Sequence, residues 1–118
     1  MTQIQKNRIK DQALQKFLDA LLNIIIDKFK PTELWLWGSR VYGVPRKYSD
    51  IDLIIISDAF KNMRMIKRRP YFLRSIEFDK YPDLEDVDAF CYTQEEFEKK
   101  KNDPWMFKDL FSRGIRII

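Results

Sequence analysis

Apolar residues recur at every fourth position from Ile9 through Ala13, Phe17, Leu21 and Ile25 to Phe29, and Leu14, Leu18 and Leu22 fill the adjacent row. This spacing places both rows on one face of a long helix over residues 7–29. Pro31 lacks an N–H and biases Lys30 away from helical dihedrals, so the helix is expected to end near Lys30. The pattern then changes. Residues 33–37 are short and aromatic-rich and run straight into Gly38 and Ser39, as a buried strand ending in a turn would. Gly43 and Pro45 punctuate a loop reaching Ser49, and residues 51–56 are nearly all β-branched, the composition of a strand buried on both faces.

Residues 62–81 predict helix in two pieces, with Pro70 as the break and in the first turn of the second piece. Residues 87–92 predict a third strand with Val87, Ala89 and Cys91 on one face and Asp88, Phe90 and Tyr92 on the other. Thr93 and Glu96 form a capping-box pattern for a short charged helix. Pro104 opens another that stops at Gly114, and residues 115–118 can supply a last short strand. The expected class is α/β (α+β), a small mixed sheet flanked by helices.

At 118 residues the chain has room for one domain, and residues 1–118 are read as one. Composition narrows the chemistry: there is no histidine, and Cys91 is the one cysteine, so an internal disulfide, a zinc site and a histidine-based triad are all excluded. No apolar run is long enough to span a bilayer and the first ten residues are polar, so a cytoplasmic protein without membrane partners is expected. The net charge of +4, from 22 Lys and Arg against 18 Asp and Glu, settles little. Its distribution says more: between Asp58 and Glu77 there is no acid, but Lys61, Arg64, Lys67, Arg68, Arg69 and Arg74 all fall there. A local basic patch is expected.

Two aspartates stand where an apolar strand would not hold them without a cation partner. In extended backbone, residues i and i+2 point the same way, so Asp50 and Asp52 project side by side with Cα atoms about 7 Å apart. Mg²⁺ prefers oxygen ligands and usually takes one or two carboxylates, with waters and phosphates completing its shell. A third carboxylate on a neighbouring strand would help to hold a second ion; Asp88 is placed for this, with Asp86 at the loop edge as its rival. Taken singly, each strand aspartate is matched equally well by a buried arginine. Gly38 and Ser39 allow close backbone approach and offer N–H and hydroxyl donors to phosphate oxygens. Arg40 suits either a phosphate or an acidic neighbour.

Gly38-Ser39-Arg40-Val41-Tyr42-Gly43, a short basic loop, Ser49-Asp50-Ile51-Asp52-Leu53 and then Asp88 in a strand together resemble the minimal nucleotidyltransferases of the DNA polymerase β superfamily. The resemblance extends over nearly the whole chain, including Tyr92-Thr93-Gln94-Glu95-Glu96-Phe97 and the Gly114-apolar ending. It implies the nucleotidyltransferase fold and transfer of a nucleoside monophosphate, with AMP from ATP favoured over other nucleoside triphosphates, to a hydroxyl acceptor. It implies that Asp50, Asp52 and Asp88 are catalytic and hold Mg²⁺ as a pair of ions, that Gly38 and Ser39 hold the triphosphate with Arg40 and Ser49 beside them, and that Asp88 activates the acceptor. Minimal members of that family are often paired with a helical HEPN-type protein, in some cases as its antitoxin, so such a partner is expected. Trp105, Met106 and Phe107 are candidate contacts, although core packing is the commoner fate of such residues. A homo-oligomer is left open. Two other classes compete: a silent binding or antitoxin module of the same fold, and a nucleic-acid binder that uses residues 61–74, against which an ordinary solvated helix face is favoured.

Overall fold

The computed structural model describes residues 9–42, 50–103 and 107–118. Helix α1 spans Gln12–Phe29, later in starting than the periodicity suggests. Asp11 sets that start: its side chain accepts a hydrogen bond from the Leu14 N–H, capping one of the helix's open donors. At the other end Lys30 takes the left-handed conformation (φ 44°) and its N–H closes on the Ile26 carbonyl just before Pro31. The two apolar rows are buried as expected, and each large side chain contributes about 1.5–3 kcal/mol on leaving water.

Strands β1 (Glu33–Trp37), β2 (Ile51–Ile56), β3 (Val87–Tyr92) and β4 (Ile115–Arg116) make one sheet among the described residues, ordered β3-β2-β1-β4. β1 runs antiparallel to β2 and β4, whereas β2 and β3 are parallel, so the sheet is mixed. Helices α2 (Ser39–Tyr42), α3 (Met65–Ser75), α4 (Gln94–Lys100) and α5 (Lys108–Arg113) complete the regular structure, with 3-10 turns at Asp58–Phe60 and Phe78–Lys80.

Alternation along the strands divides the core into two layers. Leu34, Leu36, Leu53, Ile55, Ala89 and Cys91 face α1 together with Phe72 and Ile76 from the α3 side. Trp35, Ile54, Ile56 and Tyr92 face the opposite way and are covered by Phe97 of α4, Phe107 and Leu110. Phe107 is thus a core residue, the commoner fate expected of it, packed edge-on against Phe97; Trp105 and Met106 lie outside the described residues.

Pro70 does not break α3. It sits inside the helix, where it withholds one N–H from the carbonyl four residues earlier. Ile66, the residue four earlier, is 76% exposed and Pro70 is exposed too, so the gap in the ladder falls on the outward side of α3. Phe72 and Arg68 meanwhile hold the helix against the sheet from its buried side. Of the basic run, Lys61, Arg64, Lys67, Arg69 and Arg74 are exposed and Arg68 alone is buried. Arg68 is buried and donates to the carbonyls of Met63 and Cys91 and, through both terminal nitrogens, to Glu96 at 2.5 and 3.0 Å. Glu96 simultaneously closes the capping box of α4 through the Thr93 N–H. One arginine thus ties α3, β3 and α4 together. Arg68→Met is expected to cost about 2–3 kcal/mol in urea unfolding, because it strands a carboxylate and two carbonyls; a cost under half of that would show the network to be incidental.

The hydrogen bond from Arg68 holds the Glu96 carboxyl down at about 2, below its ordinary 4.5. A carboxyl depressed in the folded state adds stability above its unfolded value and loses it as pH falls, here between about 4.5 and 2.

Candidate active site

The acids gather on the face of the sheet that α4 and α5 cover only in part. β2 and β3 run parallel with Asp52 directly opposite Asp88, and in the antiparallel pairing of β2 with β1 the same Asp52 lies opposite Trp37. Asp50 precedes β2 by one residue, is exposed, and shares the parity of Asp52. Ile54 and Ile56 continue that face under α4 and α5, so the carboxylates occupy its open end. Register also separates the two candidates for the third acid: Asp88 is within β3, whereas Asp86 is exposed ahead of it and uses its carbonyl to accept from the Ile51 N–H.

The turn after β1 is built around Asp52. Gly38 has φ +87°, a conformation that L side chains rarely adopt, and a Cβ placed there would collide with the Asp52 carboxylate. Glycine is therefore required twice over, by backbone conformation and by space. Its carbonyl accepts from the Val41 N–H, opening the short helix that Ser39 begins. Trp37, next to Gly38, packs edge-on against Phe90 with ring centroids 5.9 Å apart, and its indole N–H is buried without an acceptor.

Arg40, grouped above with the phosphate-holding positions, has its charge met by acids. Its Nη1 lies 3.3 Å from Asp11 Oδ2 and its Nη2 3.8 Å from Glu85, with the side chain 8% exposed. Of the two alternatives open in the sequence, an acidic neighbour is the one observed, and Arg40 ties the Gly38–Ser39 turn to the start of α1. Ser49 and Gly43 lie outside the described residues.

Electrostatics mark Asp52 out. Burial pushes its carboxyl up to about 6 from 3.8, and the nearby charges of Asp88 and Asp50 push in the same direction. The folded chain therefore holds this proton more tightly than the unfolded one, and the stability it lends is full below about 3.8 and lost as pH rises through about 6. Unfolding midpoints in chelator should accordingly rise as pH is lowered from 7 to 5; a flat profile would remove the crowding of charge that this predicts. Cys91 takes no part: it is buried on the other face and its thiol is pushed up to about 12 by that burial.

The donor set suits a hard cation. All three groups offer carboxylate oxygen, and two of them already raise the energy of the third as an anion, a repulsion that a divalent ion relieves. Among the described residues no three acidic or cysteine side chains close to the spacing of one coordination shell. Asp88 instead lies 3.7 Å from Nε of Arg69, a contact that sequence reasoning missed because the basic run carried no sign of which member would meet β3. Mg²⁺ needs only one or two carboxylates, and Asp50 and Asp52 are two on one face.

Comparisons with known proteins bear on this geometry. A solved Sulfolobus solfataricus protein assigned as a nucleotidyltransferase is similar over 75% of this chain and 77% of its own, with TM-score 0.53 and 21% identity. BolA1 from Arabidopsis thaliana is similar over 66% of this chain and 92% of its own, with TM-score 0.52 and 17% identity. At these identities both likenesses are of fold, and a fold by itself does not set the chemistry. In sequence, a Haemophilus influenzae protein assigned as the protein adenylyltransferase MntA is 39% identical over 59 residues, which make up 49% of this chain and 47% of that protein. The family model described as "Nucleotidyltransferase domain" matches residues 18–116, from within α1 to β4 and across Asp50, Asp52, Asp86 and Asp88. The chain belongs to the nucleotidyltransferase domain family.

Proposed function

We propose that this chain, as one domain over residues 1–118, is a Mg²⁺-dependent nucleotidyltransferase that moves a nucleoside monophosphate, with ATP as the favoured donor, to a hydroxyl on an acceptor. The observation that carries the reading is the placement of Asp52 opposite Asp88 across two parallel strands, with Asp50 beside it and Gly38 packed against its carboxylate. Membership of the nucleotidyltransferase family supports the reaction class, and likeness to part of a protein adenylyltransferase supports a protein acceptor and AMP as the group moved. A separate helical protein of HEPN type is the acceptor that the sequence resemblance favours.

In this reading Asp50 and Asp52 hold the ions and Asp88 completes the set. Bound there, Mg²⁺ supplies positive charge to the attacked α-phosphate and to the departing pyrophosphate. The Gly38 turn admits the triphosphate close to the backbone, and Ser39 donates to its oxygens. Asp88 accepts the proton of the acceptor hydroxyl as its oxygen bonds to the α-phosphorus and the bond to pyrophosphate breaks. Arg40 keeps the turn in place through Asp11.

The test is transfer itself. ATP labelled at the α-phosphate, incubated with Mg²⁺, this chain and a helical partner encoded beside it, should leave label on the partner and release pyrophosphate. Label from the γ-phosphate in place of the α-phosphate would overturn nucleotidyl transfer. Mg²⁺-dependent nucleotide binding without any transfer would favour the silent module.

A further inference from the structure

A guanidinium stands beside Asp88, and the way that guanidinium is held carries the inference. Among the described residues β3 is an edge strand. Its even-numbered residues bond inward to β2, as shown by Ile51 N–H to the Asp86 carbonyl and Ser57 N–H to the Tyr92 carbonyl. The carbonyls of Val87 and Cys91 consequently face outward, and two consecutive arginines of α3 reach them: Arg68 reaches Cys91 and Arg69 reaches Val87. Successive residues of a helix differ by about 100° in direction, so fixing Arg68 fixes where Arg69 emerges. Arg68 is buried and anchored by Met63, Cys91 and Glu96, and it sets the rotation of α3 about its axis.

Arg69 is a different kind of group. It is 49% exposed, donates from Nη2 to the Val87 carbonyl at 2.7 Å, and places Nε 3.7 Å from an Asp88 oxygen, a charge contact too long to be a hydrogen bond. Its position is fixed by the strong contact to the backbone and its charge is spent on the carboxylate. An ion that takes Asp88 must therefore displace a positive charge, while the guanidinium stays at the rim through its bond to Val87.

We propose that Arg69 is a positioning residue and built-in counter-charge of the site: it neutralises Asp88 when no cation is bound and competes with the divalent ion for that carboxylate. The proposal rests on the metal-site reading above and adds an opponent to it. It requires that removing the charge of Arg69 strengthens cation binding, the reverse of what loss of a purely structural residue would do.

The experiment is a titration with Mn²⁺ alone, by calorimetry and by water-proton relaxation, on the full chain without nucleotide. Arg69→Met should bind Mn²⁺ about two- to fivefold more tightly than wild type, the range expected for an exposed ion pair. Arg69→Lys, which keeps the charge, should stay closer to wild type than Arg69→Met does. The gain should shrink in about 0.5 M KCl, where exposed charges are screened. Circular dichroism checks folding, and Arg69→Gln, which keeps a donor for the Val87 carbonyl, replaces the Met variant if that one unfolds. Unchanged or weaker Mn²⁺ binding in the folded neutral variants, or a gain that survives high salt, would overturn the role of Arg69. If Asp50→Asn with Asp52→Asn abolishes binding while the Arg69 variants match wild type, only this proposal falls; if wild type binds no Mn²⁺, the metal site falls with it.

Discussion

Replacing Asp50 and Asp52 together by asparagine is expected to reduce nucleotidyl transfer by about a thousandfold or more, because the oxygen ligands that gather charge against the phosphates are removed. The same change should raise the thermal stability of the metal-free chain at pH 7 to 8. Asp52 is held with its carboxyl at about 6 by burial and by two acidic neighbours, so at neutral pH its ionised form opposes folding. Allowing for solvent screening of a partly exposed group, relief of that repulsion contributes on the order of 1 kcal/mol. Activity and stability therefore move in opposite directions. Calorimetric Mg²⁺ and ATP titrations alongside melting curves in chelator measure both; unchanged nucleotide binding would remove the metal-site reading, and a large drop in melting temperature would show that these carboxylates serve the fold.

Gly38→Ala should be the most damaging single-methyl change near the site. The left-handed backbone costs an alanine about 1–2 kcal/mol, and the overlap of its Cβ with the Asp52 carboxylate adds about 1–3 kcal/mol unless Asp52 moves. If Asp52 moves, transfer slows, since a displacement of about an ångström is enough to lose on the order of a hundredfold in rate. Urea unfolding in two backgrounds separates the parts. In an Asp52→Ala chain the overlapping carboxylate is gone and only its Cβ, 3.3 Å from the added methyl, remains, so Gly38→Ala should there cost the backbone contribution and little more. Equal costs in the two backgrounds would show that contact with Asp52 is not what demands glycine.

Much of this architecture was legible in the residues because single physical rules dominated locally. The four-residue apolar rhythm of α1, the β-branched run of β2 and the Thr93–Glu96 pattern each had one favourable solution, and the structure adopts it. Where two rules competed, tertiary context decided. Pro70 reads as a break by local chemistry, but it and Ile66 are exposed, and the buried side keeps the helix whole. Arg40 suited a phosphate or an acid equally well until α1 brought Asp11 to it. Arg68 and Arg69 look alike in a row of basic residues, yet one is sealed in the interior and the other stands over the acids, a distinction set by helix rotation. The convergence of Asp52 and Asp88 was legible only as parity along each strand; their facing required the parallel register of β2 and β3.

The arginines spent on the outer carbonyls of β3 have a consequence for self-association. A sheet margin with vacant acceptors invites a strand from another molecule to zip onto it, and natural proteins obstruct such margins with charge. Here two guanidinium groups occupy that rail at Val87 and Cys91, so a second copy docking edge to edge would have to evict both, one of them from the interior. Stacking into a continuous ribbon through this side is thereby opposed, and the flank next to the acids is left for other traffic.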